Sequence, residues 1–231
     1  LGGKAPEIVC SDANLDLAVK AIVSSKVIFS GQVCNCAERV YVQDDIYDEF
    51  VERLAKKMSE VTIDDALTGT DADMSSLVSK SQIDKISEMV EFAKKEGAEV
   101  LVGGKRSEQF DRGYYYQPTL LTNCTQQMEI IQEEVFGPVL PVMKFNTLDE
   151  AIALSNDCQY GLTSSVFSEN FNNIMHATSK LQFGETYVNR EHFEAMQGFH
   201  AGWKKSGIGG ADGKHGMEEY LQTKVIYAHY R

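Results

Sequence analysis

The sequence predicts a layered α/β fold with a largely parallel sheet. Segments with the apolar period of a helix alternate with short β-branched segments from residue 12 to residue 189, as expected for parallel strands joined by helices. The chain has 231 residues, 43% of them hydrophobic, which is enough for a sizeable core in one large domain or two small ones. No internal repeat and no low-complexity linker interrupts the alternation.

Apolar periodicity defines the elements of the first half. Residues 12–29 predict a helix whose apolar side chains share one face, with Asp12 as its N-cap and Gly31 as its stop. Polar residues 62–74 predict a loop, and Gly97 is placed to end a later helix. The other elements predicted here are a strand at 39–43, helices at 45–61 and 81–97, and extended segments at 98–104 and 113–121.

The second half continues the alternation. Pro141, inside a strand predicted at 138–145, indicates a sheet edge or an irregularity. The apolar segment 223–230 predicts a final strand without a nearby partner, of the kind that is donated to another domain or subunit. The remaining predicted elements are helices at 147–157 (with Thr147 and Glu150 as a capping box) and 170–181, strands at 163–168 and 185–189, and a short helix from residue 216.

Composition argues against several classes of partner. The chain carries 22 basic and 34 acidic residues, and its net charge of −12 disfavours a surface for nucleic acid or for an anionic membrane. No apolar run approaches the roughly 20 residues of a membrane span, and no signal peptide is visible. Five scattered cysteines are typical of free thiols in a reducing compartment, so we expect a cytoplasmic protein. The chain begins without Met, which suggests a fragment.

The glycine-rich segment 207–214 does not form a nucleotide-binding motif. Ile208 stands where a phosphate-binding loop needs its first glycine, and His215 follows Lys214 where Ser or Thr belongs. Asp212 also breaks the dinucleotide-binding glycine pattern. Pattern alone therefore predicts a flexible turn.

Cys34 and Cys36, in the segment SGQVCNCAER, leave several interpretations open. A structural zinc needs four ligands, and the chain has neither a C-x-x-C nor histidines spaced to complete a site, so no metal is predicted. A disulfide between the two would close a very small, strained ring. Both could be buried small hydrophobes. Alternatively, Cys34 follows a helix–glycine turn whose free N–H groups would favour a nucleophilic thiolate and stabilise an oxyanion.

The stretch VIFSGQVCNCAER resembles the active-site cysteine signature of the NAD(P)-dependent aldehyde dehydrogenase superfamily, in which the cysteine two residues after Gly-Gln is the nucleophile. Further stretches resemble other motifs of that family, in the family's order and across nearly the whole chain. They are LGGKAPEIV (1–9), EEVFGPVLPV (133–142), GETYVNR (184–190) and KKSGIGGADGKHGMEEYLQTK (204–224).

The resemblance implies a domain organisation. Residues 1–205 would form the three-layer α/β/α catalytic domain of the aldehyde dehydrogenase fold. Residues 206–231 would form a C-terminal return segment and oligomerisation strand, a β arm, in a homo-oligomer that is a dimer or tetramer. The family's N-terminal dinucleotide-binding domain is absent from this chain.

The resemblance also implies site residues. Cys34 would add to an aldehyde to give a thiohemiacetal, which loses hydride to NAD (or NADP) and leaves a thioester for hydrolysis. Glu134 would bind the nicotinamide ribose, Phe136 would pack beside the cofactor, and Lys85 would lie towards its adenosine end. On pattern alone, Glu134 is an ordinary carboxylate at a helix end, Phe136 a core aromatic residue and Lys85 a solvated charge.

One departure from the family pattern matters most. The family's general base is the Glu that precedes L-G-G-K, and this sequence begins at Leu1. The Asn that completes the family's oxyanion hole is also absent. The 231 residues alone are therefore expected to be inactive.

The segment 189–207 indicates the substrate, because it is polar as well as aromatic. It is similar to the same segment of bacterial family members that act on lactaldehyde and glycolaldehyde. The resemblance places Asn35, Glu194 and His200 at the small 2-hydroxyaldehyde, although on pattern alone His200 is a structural histidine. Two alternatives stay open: a semialdehyde or betaine aldehyde as substrate, or a non-catalytic assembly fragment.

Overall fold

The computed structural model of the chain describes residues 2–68 and 71–231. Leu1, at the start of the L-G-G-K stretch, and Gly69 and Thr70, in the predicted loop 62–74, lie outside the described residues. Within the described ranges, no helix is long and apolar enough to cross a membrane.

The described residues form eleven strands and seven α-helices. The strands are β1 (Ala5–Val9), β2 (Ala37–Gln43), β3 (Glu99–Val102), β4 (Thr119–Thr122), β5 (Val139–Phe145), β6 (Tyr160–Gly161), β7 (Thr163–Phe167), β8 (Glu185–Val188), β9 (His200–Ala201), β10 (Trp203–Lys204) and β11 (Gly210–Ala211). The helices are α1 (Leu15–Val27), α2 (Tyr47–Ser59), α3 (Lys80–Lys95), α4 (Glu129–Gln132), α5 (Leu148–Asn156), α6 (Phe171–Lys180) and α7 (Gly213–Glu218).

In the described part of the chain, seven strands form the main sheet in the order β3-β4-β5-β2-β1-β7-β8. Every neighbouring pair is parallel except β3 and β4. The short strands pair outside this sheet, β6 with β10 and β9 with β11. The largely parallel sheet predicted from the alternating pattern is therefore confirmed.

Helices cover both faces of the sheet because successive side chains on a strand point to opposite faces. Val40 and Val42 of β2 pack with α1 and α2, whereas Tyr41 between them packs with α5 and α6. A third apolar cluster packs α3 and α4 against β4 and β5. The three-layer α/β/α arrangement is thus confirmed, and nearly continuous burial of β1, β2 and β7 fits parallel strands covered on both faces.

The predicted cap of α1 is wrong. The helix begins at Leu15, and its N-cap is Asn14, whose side chain accepts the Leu17 N–H at 3.1 Å. Asp12 lies earlier, in the loop after β1, and its carboxylate instead accepts the Ser168 hydroxyl and the Asn170 N–H, the latter at 2.7 Å. Asp12 therefore joins the loops that follow the neighbouring strands β1 and β7.

Two further predictions about strands change. Pro141 does not mark a sheet edge, because β5 lies between β4 and β2. It is the last residue paired with β4 and precedes Val142, the first paired with β2. The strand predicted at 223–230 does not form in the single chain, where these residues are exposed and have no regular structure. Whether this segment becomes a β arm in an assembly stays a prediction.

Candidate active site

The candidate site lies at the amino-terminal edge of the parallel sheet. Cys34 occupies the turn before β2, and the segments before β1 and β5 carry Gly3 and Glu134 to the same edge. The chain reaches this turn through a 3₁₀ segment in which Phe29 and Ser30 adopt positive φ angles of 46° and 59°. Cys34 is half-buried, so the thiol is neither sealed in the core nor freely exposed.

Gly3 brings the backbone before β1 against the backbone of the Cys34 turn. A Cβ placed on Gly3 would lie 2.1 Å from the carbonyl oxygen of Cys34, closer than real contacts allow. Glycine at this position therefore has a direct steric reason. Sequence patterns alone do not identify this contact.

Glu134 is tied to the same backbone. Its carboxylate accepts the Gly3 N–H at 2.7 Å, and the ammonium of Lys85 donates to the Glu134 carbonyl oxygen at 2.8 Å. Partial burial raises the pKa of Glu134. Phe136, half-buried and at a φ of 57°, is fixed by Gln82, whose amide donates to its carbonyl oxygen at 2.8 Å. The three residues predicted for cofactor binding thus lie together, and Gln82 is an additional contact.

Asn35 is buried beside Cys34. Its side-chain amide donates to the Glu194 carboxylate at 2.8 Å and to the His192 carbonyl oxygen at 3.4 Å. Its own carbonyl oxygen accepts the Thr163 hydroxyl at 3.1 Å. Two of the residues predicted for substrate binding, Asn35 and Glu194, are therefore in direct contact.

His200, the third of these residues, joins the same site. Its Nδ1 lies 2.7 Å from the Glu185 carboxylate. The pKa of His200 is raised to about 10, mainly by hydrogen bonding to Cys34 and next by hydrogen bonding to Glu185. The hydroxyl of Tyr187 donates to the other oxygen of Glu185. Glu185 and Tyr187 are functional candidates that motif reasoning missed. Their spacing two apart on β8 places both on one face of that strand.

Beneath the Cys34 turn lies a buried charge cluster of Lys4, Lys26 and Glu38, which we call the floor. Each lysine ammonium lies 2.8 Å from one oxygen of Glu38, and the Val135 N–H donates to that carboxylate at 3.0 Å. Burial alone would raise the pKa of Glu38, but the two lysine charges outweigh it and lower this pKa to about 2. The floor joins the segment before β1, α1, β2 and the segment before β5.

Cys36 borders this floor and is not a second nucleophile. It is buried, and burial raises the pKa of its thiol to about 11. The structure keeps Cys34 and Cys36 as free thiols, which excludes the disulfide interpretation. Among residues 2–68 and 71–231, no group of three or more His, Cys, Asp or Glu side chains is placed to hold a metal ion.

A second buried polar group supports Asn35 from behind. His192 contacts Ser25 through Nδ1 at 3.3 Å and Ser165 through Nε2 at 2.5 Å, and its Nε2 lies 3.2 Å from Glu7. Burial lowers the pKa of His192 to about 3 and raises the pKa of Glu7 to about 8. At neutral pH both groups are largely uncharged, so the contact is not an ion pair, and Glu7 Oε1 is buried without a hydrogen-bond partner among the described residues. The ring of His192 is held instead by its contacts with Ser25 and Ser165.

Comparison with known proteins places this geometry in a family. The chain matches the aldehyde dehydrogenase family over residues 1–226. It is 59% identical to lactaldehyde dehydrogenase of Escherichia coli strain K12 over 98% of this chain and 47% of the relative. It is 44% identical to 3,6-anhydro-alpha-L-galactose dehydrogenase of Vibrio sp. strain EJY3, over 100% of this chain and 48% of that relative.

Solved structures agree with these matches. The crystal structure of E. coli lactaldehyde dehydrogenase superposes with a TM-score of 0.96 at 59% identity, covering 99% of this chain and 47% of that one. A Staphylococcus aureus betaine aldehyde dehydrogenase in complex with NAD⁺ gives 0.91 at 40% identity, covering 97% and 45%. The chain spans about half the length of the relatives that it matches. By sequence and by fold, the chain belongs to the aldehyde dehydrogenase family.

Proposed function

We propose that the whole protein oxidises a small 2-hydroxyaldehyde, such as lactaldehyde or glycolaldehyde, to the carboxylic acid. The single observation that carries the proposal is the polar neighbourhood of a half-buried cysteine: Asn35, the next residue, donates to Glu194, and hydrogen bonding to Cys34 contributes to the raised pKa of His200. Buried hydrogen-bonding groups discriminate against aldehydes that lack a hydroxyl, because the protein groups would then stay unpaired. The similarity to lactaldehyde dehydrogenase supports this choice.

In the proposed mechanism, the Cys34 thiolate attacks the aldehyde carbon and forms a C–S bond. The carbonyl oxygen becomes an oxyanion of the thiohemiacetal, and backbone N–H groups of the turn offer donors to it. After hydride loss the sulfur carries an acyl group, and water hydrolyses this thioester to release the acid and regenerate Cys34. The hydroxyl at carbon 2 would bind the polar groups of Asn35, Glu194 and His200.

The chain's own residues fit one end of a nicotinamide cofactor. Glu134 presents a half-buried carboxylate with one oxygen held by the Gly3 N–H, which leaves the other free to accept from a ribose hydroxyl. Phe136 offers an apolar surface beside it, and we assign Lys85 to the outer end. When bound, NAD accepts the hydride that leaves the substrate. NADP is the alternative, since one relative is named D-glyceraldehyde dehydrogenase (NADP(+)).

The nucleophile assignment is tested by replacing each cysteine in turn in the whole protein. We expect Cys34→Ala to abolish NAD reduction with lactaldehyde and glycolaldehyde, because no other thiol reaches the aldehyde. Cys36→Ala is the matched control and should largely keep the activity, since its buried thiol only packs behind the turn. Substantial activity in Cys34→Ala would refute the assignment.

A panel of aldehydes tests the substrate. Lactaldehyde and propanal differ only by the hydroxyl, so the ratio of their kcat/KM values measures how strongly the site recognises that group. The second candidate is a betaine aldehyde or a semialdehyde, favoured by the 37% identity to betaine aldehyde dehydrogenase of Bacillus subtilis strain 168. A clear preference for a substrate bearing ammonium or carboxylate would select this alternative.

We infer a cytoplasmic homo-oligomer in which the exposed apolar residues at 225–230 mediate association, and we expect the 231 residues alone to be inactive. The alternative, a non-catalytic assembly module, needs only that association. Mass measurement of the isolated chain in solution separates the cases, because a strictly monomeric chain contradicts an association role for its tail.

A further inference from the structure

The segment between β8 and β9 carries Glu194 to Asn35 and leads into His200. Between residues 190 and 199 one side chain is buried, that of His192, which has 1% of its surface exposed. The neighbouring side chains of Phe193 and Met196 are apolar and yet exposed. The segment therefore reaches the core through one buried residue, and that residue is polar.

Two serines from different elements hold the ring of His192. Ser25 of α1 lies 3.3 Å from Nδ1, and Ser165 of β7 lies 2.5 Å from Nε2. The Ser25 oxygen also accepts the Ala37 N–H at 3.0 Å, so its own hydrogen is available to Nδ1. A neutral imidazole has one acceptor and one donor nitrogen, and Nε2 then donates to Ser165. Because burial lowers the pKa of His192 to about 3, the ring keeps this neutral form at neutral pH.

The backbone of His192 meets the residue beside Cys34. The His192 carbonyl oxygen accepts the Asn35 amide at 3.4 Å, and the Glu194 carboxylate accepts it at 2.8 Å. Both partners are acceptors, which assigns the NH₂ group of Asn35 to this side and turns its oxygen away from it. The Asn35 backbone is held separately, since its carbonyl oxygen accepts the Thr163 hydroxyl at 3.1 Å. A displaced segment would thus release the Asn35 side chain without releasing its backbone.

We propose that His192 is a positioning residue whose ring anchors residues 189–194 between α1 and β7, and so holds the side chains of Asn35 and Glu194 in place beside Cys34. The proposal rests on the proposed function, in which those two side chains bind the hydroxyl of the substrate. His192 itself makes no contact with the substrate and transfers no proton. Its anchor acts on recognition of the hydroxyl and not on the attack by Cys34.

Cleavage by trypsin after Arg190 measures the anchor in the whole protein, without aldehyde or cofactor. Arg190 is exposed, but a protease needs several residues on each side in extended form, and His192 is the second residue after the cleaved bond. The cleavage rate then follows the population of the open form. We expect His192→Ala to raise the rate about tenfold, because the open form no longer breaks the hydrogen bonds of a buried ring. Mass spectrometry identifies the product.

His176→Ala is the matched control. His176 of α6 lies 2.6 Å from the Asp149 carboxylate and has 43% of its side chain exposed, so this variant loses a histidine contact at the surface. Its cleavage after Arg190 should stay at the wild-type rate. Ser165→Ala provides a second measurement if His192→Ala does not fold, because it removes a partner of the ring from β7 and leaves the cleaved segment unchanged.

The ratio of kcat/KM for lactaldehyde to kcat/KM for propanal measures the effect on recognition. We expect this ratio to fall about tenfold in His192→Ala, which corresponds to the loss of one hydrogen bond to the substrate hydroxyl. The value for propanal itself should change less than about twofold, since propanal does not use Asn35 and Glu194. His192→Asn keeps an oxygen that can accept from Ser25, and it should recover part of both effects.

The two measurements together decide the matter. Wild-type cleavage rates in both His192→Ala and Ser165→Ala would overturn the proposal. Faster cleavage with an equal loss for both aldehydes would also overturn it, because the ring would then stabilise the fold without positioning Asn35 and Glu194. Faster cleavage with a loss confined to lactaldehyde supports it. Cleavage needs no substrate, so faster cleavage in a protein that prefers no 2-hydroxyaldehyde would support the anchor and contradict the proposed function instead.

Discussion

Two groups of polar side chains near the Cys34 turn are held by different kinds of contact. The floor consists of fully buried charges whose hydrogen bonds link four segments of the chain. The second group, which we call the wall, consists of Glu185, Glu194 and His200, all partly exposed. Removing a buried charge leaves its partner charges uncompensated in a low dielectric, whereas a partly exposed group can replace a lost partner by water. The floor should therefore control folding, and the wall recognition and reactivity.

The largest effect is expected at the centre of the floor. Glu38→Gln removes the charge that faces Lys4 and Lys26, so both ammonium groups stay buried without a counter-charge. Breaking a buried ion pair in this way costs about 3–5 kcal/mol. We expect the free energy of unfolding of the whole protein, measured by urea denaturation, to fall by this amount.

The exposed Glu52 on α2 supplies the control, because Glu52→Gln makes the same chemical change outside the core. Equal losses in the two variants would contradict the role of the floor.

The pH dependence of the free energy of unfolding provides a second test of the floor. The pKa of Glu38 is lowered from 4.5 to about 2, so its stabilisation is complete above about pH 4.5 and is lost as the pH falls towards 2. Glu38→Gln should remove that part of the acid sensitivity.

The next effect tests how tightly the backbone contact between Gly3 and the Cys34 turn fixes the nucleophile. Gly3→Ala places a Cβ against the Cys34 carbonyl oxygen, where 2.1 Å would separate the two atoms without movement. The turn has to shift by about 1 Å to admit it, and a displacement of that size at a reacting group costs about 100-fold in rate. We expect kcat/KM for lactaldehyde to fall by about this factor.

Gly209→Ala is the matched control, because a Cβ at Gly209 meets no atom within 4 Å. It should leave kcat/KM nearly unchanged. If Gly3→Ala retained wild-type kcat/KM, the backbone contact would not position Cys34.

Elements formed by residues close together in the chain could be predicted from the sequence, whereas contacts between distant residues could not. Apolar periodicity predicted most helices and strands, because each is decided by residues close together in the chain. β1 escaped prediction, since its five residues are buried on both faces and include Pro6, so no alternation is visible. The floor escaped as well: Glu38 and Val135 are 97 residues apart, and only folding brings them together. Resemblance supplied Asn35, Glu194 and His200, but not Glu185, which supports His200 from β8.

The smallest effect is expected in the wall, and it tests specificity separately from stability. Glu194→Gln keeps an oxygen that can accept the Asn35 amide and removes the charge next to the proposed 2-hydroxyl site. We expect the free energy of unfolding to change by less than about 0.5 kcal/mol, as for surface substitutions. The kcat/KM for lactaldehyde should fall about tenfold, which corresponds to one hydrogen bond to a charged group. Propanal, which lacks the hydroxyl, should change less than twofold. An equal loss for both aldehydes would mean that Glu194 supports the turn as the floor does, and the division between folding and recognition would then fail at this residue.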